Sequence, residues 1–278
     1  MTDALSIRRR LVGSSLRRYR ENLGYDLSVP ARILECDRSK ISRIETGQRG
    51  IRPKELRELL TEYGIDAAAR DALTAIARRT YDPAPLLGSS YVEFLEIEKA
   101  ASAIFIYAPV QVPRLLQFPE YARAVIAADP NVPEQARAAR AAAERARQRA
   151  TLHERRTGLI AVIGEAALRQ QVKNAEVTRA QLRHLAEVSV SCPDVSIRIL
   201  PFTVGEHVSS VPGFSVLQFS RLPSLGLVHI DGPDGGICID TPTAVAAYTT
   251  TFTHMERYAV TRQESAATLS EASRVRQA

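Results

Sequence analysis

The stretch Arg38-Ser39-Lys40-Ile41-Ser42-Arg43 gathers two guanidinium groups, one ammonium and two hydroxyls. An arginine can donate two parallel hydrogen bonds to O6 and N7 of guanine, and a serine can donate or accept at several base edges. If the stretch is helical, Ile41 and Ile44 share one side, Arg38, Ser39, Ser42 and Arg43 point outward, and Lys40 sits near the rim. A helix with that outward face is suited to the DNA major groove and to a GC-containing site. The bland reading of the same residues is a solvated basic helix.

Charge supports the first reading. Residues 1–80 hold 17 Lys/Arg against 11 Asp/Glu, while residues 81–278 hold 20 of each, so the whole formal charge of +6 belongs to the first segment. A polyanion is attracted there, because each phosphate neutralised releases counterions. The longest apolar runs, such as Gly158–Gly164, fall far short of the ~20 residues of a membrane span, and Met1–Arg10 lacks the apolar core of a signal peptide. The cysteines Cys36, Cys192 and Cys238 show no CxxC spacing and predict neither a disulfide scaffold nor a zinc site. A reducing cytoplasm is the expected location, with nucleoid association when DNA is bound.

The elements that must position the basic stretch are short helices. The recurrence of Leu16, Tyr19 and Leu23 at i, i+3 and i+7 predicts a first helix over 8–22, stopped by Gly24. A second helix follows Asp26 as N-cap and carries Leu27, Ala31 and Leu34. A third spans Arg38 to Glu45 behind Asp37 as cap and is closed by Gly47. Pro53 opens a fourth with Leu56, Leu59, Leu60 and Tyr63 inward, and Asp66–Arg79 forms a fifth. The spacing of the second and third is that of a helix-turn-helix. The expected organisation is therefore a mainly α, five-helix DNA-binding domain over 8–80 and a Pro/Gly/Ser-rich linker over 81–89. An α+β domain over 90–260 with a mostly antiparallel sheet follows, then a polar, frayed tail over 261–278. Within the second domain the pattern predicts a helix over Val92–Tyr107 and a proline-punctuated stretch from Pro109 to Pro119. Helices over 120–128 and 133–154 and a buried strand at Leu159–Ile163 come next. Helices at 165–171 and 176–190, strands at 195–199, 214–219, 225–231 and 236–240, and a helix over 243–259 complete it.

The stretch Gly24 to Gly47, with Ser42-Arg43-Ile44-Glu45-Thr46-Gly47 after Arg38-Ser39-Lys40-Ile41, resembles the lambda-Cro/xenobiotic-response-element family of bacterial helix-turn-helix regulators. The resemblance implies that an arginine on the first helix pairs with the glutamate ending the reading helix, which here are Arg20 and Glu45. That family usually has a polar residue such as Gln where this chain has Leu27, and Gly where it has Glu35. Ser28, or the second helix's N-terminus itself, then stands in for the usual phosphate contact. Further along, Leu95-Glu96-Ile97-Glu98-Lys99-Ala100-Ala101, Val112-Pro113-Arg114-Leu115-Leu116-Gln117, Tyr121-Ala122-Arg123-Ala124, Arg147-Gln148, Glu165-Ala166-Ala167-Leu168-Arg169 and Ile199-Leu200-Pro201-Phe202 form an ordered series. It resembles an actinobacterial domain of unknown function that follows such helix-turn-helix modules in WhiJ-like, antitoxin-like regulators.

The resemblance implies a transcriptional regulator, read here as a repressor, that binds double-stranded DNA as a homodimer and whose second domain senses a ligand or holds a small partner protein. Val112, Pro113, Leu115, Leu116 and Gln117 are the segment to which that sensing is assigned, with Phe202, Phe214 and Phe219 as further lining or core. Two other classes fit less well. One is an antitoxin-like module that mainly holds a partner and uses DNA for autoregulation, and the other is a DNA-tethered enzyme. No Walker loop, GxGxxG or GxSxG is present, and His153, His184, His207, His229 and His254 have no metal-ligand spacing, so neither enzyme activity nor a metal or cofactor is expected. The loop Gly205-Glu206-His207 with Ser209 and Ser210 reads as solvent-facing, and Asp231, Asp234 and Asp240 as turn residues. The arginines Arg137, Arg140, Arg145, Arg147 and Arg149 spread over several helix faces, so Ala-rich packing with a solvated exterior is expected ahead of the alternative, a second DNA-binding surface.

Overall fold

The computed structural model describes residues 6–77, 90–155, 157–205, 211–222, 225–232 and 236–275. Five helices come first: α1 (Ile7–Asn22), α2 (Ser28–Ile33), α3 (Arg38–Glu45), α4 (Pro53–Glu62) and α5 (Ala67–Ala77). Local signals account for them. Gly24, Gly47 and Gly64 take φ of +69°, +76° and +68° just past the ends of α1, α3 and α4, a conformation that glycine adopts without steric cost. Pro53 opens α4, and the Asp66 carboxylate receives the Ala69 amide at 2.9 Å at the start of α5. Asp26 receives the Ser28 amide ahead of α2, whereas Asp37 occupies the cap position of α3 without a side-chain cap bond, contrary to expectation. Leu11, Val12, Leu16, Ile41, Ile44, Leu56, Leu60 and Leu73 form the shared core. Each such burial is worth roughly 1.5–3 kcal/mol.

After α6 (Ser90–Glu98) the chain enters a six-stranded mixed sheet of order β3-β2-β1-β4-β5-β6. The strands are β1 (Ala103–Ala108), β2 (Gly158–Gly164), β3 (Val195–Leu200), β4 (Phe214–Gln218), β5 (Gly226–Ile230) and β6 (Ile237–Ile239). The α+β class stands, and the sheet is mixed. β1 pairs with β2 and β2 with β3 in parallel, joined through α7 (Pro119–Ala128), α8 (Glu134–Gln148), α9 (Glu165–Arg169) and α10 (Ala175–Ser191), while β5 pairs with β6 antiparallel. Parallel strands need helical crossovers and are buried on both faces, which is why Leu159, Ala161, Val162 and Ile163 read as an unbroken apolar run.

Two expectations fail here. The helix expected over Val92–Tyr107 ends at Glu98, and Ala103–Ala108 is β1, since Ile104-Phe105-Ile106-Tyr107 is a β-branched and aromatic run buried against β2. The segment from 261 onward is no frayed tail. It forms α12 (Arg262–Val275), which follows α11 (Pro242–Tyr258), packs on α10 and buries Leu269 and Ser265. The linker assigned to 81–89 lies outside the described residues.

The chain divides into two compact units, Met1–Ser102 with Leu217–Val245, and Ala103–Val216 with Ala246–Ala278. The first holds α1–α6, β5 and β6. The second holds β1–β3, α7–α10 and α12, with Phe105 stacked on Phe252 at 5.1 Å and the Ser265 hydroxyl accepting the Ile199 amide at 3.0 Å.

Candidate nucleic-acid interface

The reading helix is held from behind. Ile41 and Ile44 are buried, and the Glu45 carboxylate receives Arg20 Nε at 2.7 Å and Nη2 at 2.8 Å. Arg20 Nη1 donates to the Tyr25 carbonyl at 2.7 Å, so the guanidinium is paired although it is almost wholly covered. Its hydrogen bond to Glu45 raises the Arg20 pKa above the ordinary value. Tyr63, beside Tyr25 at 6.2 Å, has its hydroxyl pushed up to about 12 by burial and stays neutral. One determinant escaped sequence reasoning: α1 crosses α3 so closely at Gly13 that a Cβ there would stand 2.3 Å from the Ile44 carbonyl oxygen. A glycine inside an apolar helical pattern was the available signal.

The outward face carries Arg38, Ser39 and Arg43, all exposed, with Ser42 half-buried beside them. Arg43 Nε donates to the Ser39 carbonyl at 3.3 Å, and among the described residues no carboxylate pairs with Arg43. Lys40, expected near the rim, is turned toward α4, with Nζ 2.7 Å from Glu55 Oε1. Burial raises the Glu55 carboxyl, but Lys40 and the Arg52 amide outweigh that and hold it below its ordinary value. Ser28 is exposed, yet its hydroxyl and amide both donate to Asp26 Oδ1, and Asp26 Oδ2 lies 3.9 Å from Arg38 Nη2. Those Ser28 bonds hold the Asp26 carboxyl below its ordinary value, so a phosphate approaching the start of α2 meets a negative charge. Exposed cations that sequence reasoning passed over, Arg49, Arg52, Lys54 and Arg57, follow α3 along the loop and the first turns of α4.

The segment assigned to sensing is interior. Val112, Leu115, Leu116 and Gln117 are between 0 and 3% exposed, and Pro113 is buried. Gln117 Nε2 donates to the Val112 carbonyl at 2.8 Å, and Gln148 Nε2 to the Arg114 and Gln117 carbonyls at 2.6 and 2.9 Å. Gln181 Nε2 donates to the Leu116 carbonyl at 2.8 Å, while its Oε1 receives the Phe118 amide. These side chains brace an irregular stretch of the core and do not line an open groove. Phe214 and Phe219 are core, whereas Phe202 is exposed, with the Arg169 guanidinium 5.6 Å from its ring. Within α8, Arg147 and Arg140 face the buried Glu144 at 3.1 and 3.8 Å. His229 is buried against Phe94 at 4.2 Å, Asp240 pairs with Arg10 at 3.0 Å, and residues 206–210 and 233–235 lie outside the described set. Among the described residues no three His, Cys, Asp or Glu side chains converge to hold a metal ion, and no helix is long and apolar enough to cross a membrane.

Comparison with known proteins bears on both segments. Residues 11–73 match the model of a helix-turn-helix domain, and residues 91–271 match that of a domain of unknown function, DUF5753. No curated protein and no solved structure matches the chain. The helix-turn-helix match, laid over the buried and exposed faces of α3, supports a DNA-binding regulator. Since the second match covers well over half of the 278 residues, the chain belongs to the DUF5753 family, with a helix-turn-helix domain ahead of the family's defining domain.

Proposed function

We propose that this protein is a sequence-specific transcriptional regulator of the lambda-Cro/xenobiotic-response-element type, acting as a repressor. The observation that carries the reading is the division of α3: Ile41, Ile44 and Glu45 are locked into the bundle while Arg38, Ser39 and Arg43 face outward. One such helix contacts few base pairs, so the regulator binds as a homodimer on half-sites about 34 Å apart. The DUF5753 segment acts by binding, taking a small partner protein or ligand whose preference for one arrangement of the two reading helices shifts DNA affinity by its differential affinity for those arrangements.

The test is selection of duplexes from a randomised pool and capture of genomic DNA, each repeated with Arg43→Ala. Loss of a bidentate base contact is expected to cost on the order of 1–3 kcal/mol at the selected site and to relax preference at that position. Equal losses on selected and random duplexes would remove Arg43 from the base readers, and no enrichment by the unmodified chain would overturn the function.

A further inference from the structure

The cations of α3 are not equally available to DNA. Arg43 faces outward with no carboxylate partner among the described residues, and Arg38 is tied only loosely, since it and Asp26 are each more than 60% exposed at 3.9 Å. Lys40 differs. Its ammonium lies 2.7 Å from Glu55 Oε1, with the two side chains only 19% and 23% exposed. Glu55 is itself fixed, because Oε2 receives the Arg52 amide at 3.2 Å in the capping box that starts α4. An ammonium already neutralised by a fixed, largely desolvated carboxylate has no condensed-counterion release to offer, and must break that pair to reach a phosphate.

Resting on the DNA-binding reading above, we infer that Glu55 is a specificity-determining residue: it withholds Lys40 from the DNA backbone, lowers sequence-independent attraction to the duplex, and so widens the margin by which the outward residues of α3 favour a particular site. Glu55 touches no base in this role and acts through Lys40.

The experiment measures binding of the full chain to a selected duplex and to a random-sequence duplex across a salt series, for the unmodified protein, Glu55→Gln, Lys40→Met and the double variant. Glutamine at this position keeps an acceptor for the Arg52 amide, so the start of α4 is preserved. Glu55→Gln is expected to steepen the slope of log K against log salt by about 0.9, the value for one additional phosphate. Random-sequence binding tightens roughly three- to ten-fold at low salt by the same release, and the preference for the selected duplex narrows. Lys40→Met alone leaves the slope unchanged, and in the Glu55→Gln background it removes the whole gain. An unchanged slope in Glu55→Gln overturns the inference, as does a gain that survives Lys40→Met, which would trace it to net charge alone. Should Glu55→Gln fail to fold, Lys40→Met decides by itself: an unchanged slope supports the restraint, and a flatter one overturns it. Failure of the unmodified chain to bind any duplex instead brings down the DNA-binding reading together with the inference built on it.

Discussion

Arg20 and Glu45 hold opposite charges where little water reaches either, and two parallel hydrogen bonds of 2.7 and 2.8 Å join them. Removing one partner strands the other, a change that costs about 3–5 kcal/mol for buried pairs. Arg20→Ala is therefore expected to release α3 from α1, seen as faster amide exchange at Ile41 and Ile44 in the intact protein; protection equal to that of the unmodified chain would count against the role. A motif made this pair visible in the sequence, because its members recur at a set separation. Nothing comparable marked the partner of Lys40. The direction taken by a long, flexible ammonium side chain depends on where α4 comes to lie, and Glu55 is fifteen positions away.

At the scale of elements, the leading helices were readable because many of their boundary signals are chemical: glycine past the ends of α1, α3 and α4, proline at the start of α4 and aspartate at that of α5. The irregular parts were not. Ala103–Ala108 satisfies a helical period as well as a strand's, and only pairing with β2 decides. Residues 112–117 read only as part of a proline-punctuated stretch, and it takes Gln148 and Gln181 from distant helices, donating to the Arg114, Gln117 and Leu116 carbonyls, to hold the stretch in the interior. Two backbone positions allow a test of how tightly the helix-turn-helix is specified, since their substitutions should act in opposite directions. Gly13→Ala forces a Cβ against the Ile44 carbonyl and should destabilise by about 1–3 kcal/mol, as overpacking against unyielding backbone does. Glu35 holds φ at +47° in the turn between α2 and α3, where a non-glycine residue bears roughly 1–2 kcal/mol of strain. Glu35→Gly relieves it at some entropic cost, leaving a gain of up to about 1 kcal/mol. Thermal unfolding should therefore show a lower Tm for the first and a higher one for the second; the reverse order would refute the geometry assigned to both.

For the molecule as a whole, the first compact unit joins segments matched by two different family models, and the join is chemical. α1 begins at Ile7 without a side-chain cap from Ser6, which leaves its first amides in need of acceptors. Glu93 of α6 provides them: its carboxylate receives the Ile7 amide at 3.0 Å and the Arg8 amide at 2.8 Å, as well as the Ser6 hydroxyl. One turn on, Arg10 Nε meets the Asp240 carboxylate at 3.0 Å. Both carboxylates belong to the DUF5753 segment, and both act on α1, the helix whose Arg20 holds Glu45 of α3. A carboxylate at a helix N-terminus stabilises both by accepting hydrogen bonds and by meeting the helix dipole, together about 1–2 kcal/mol. Glu93→Ala should accordingly speed exchange of the Ile7 and Arg8 amides by roughly ten-fold, since 1.4 kcal/mol is a factor of ten in an opening equilibrium. Glu93→Gln, which keeps the acceptor and loses the charge, should fall between the two. A fragment ending before α6 lacks the cap altogether and should melt below the same helices in the full chain. If the first turn of α1 exchanges at one rate in all of these proteins, the helix-turn-helix owes nothing to Glu93.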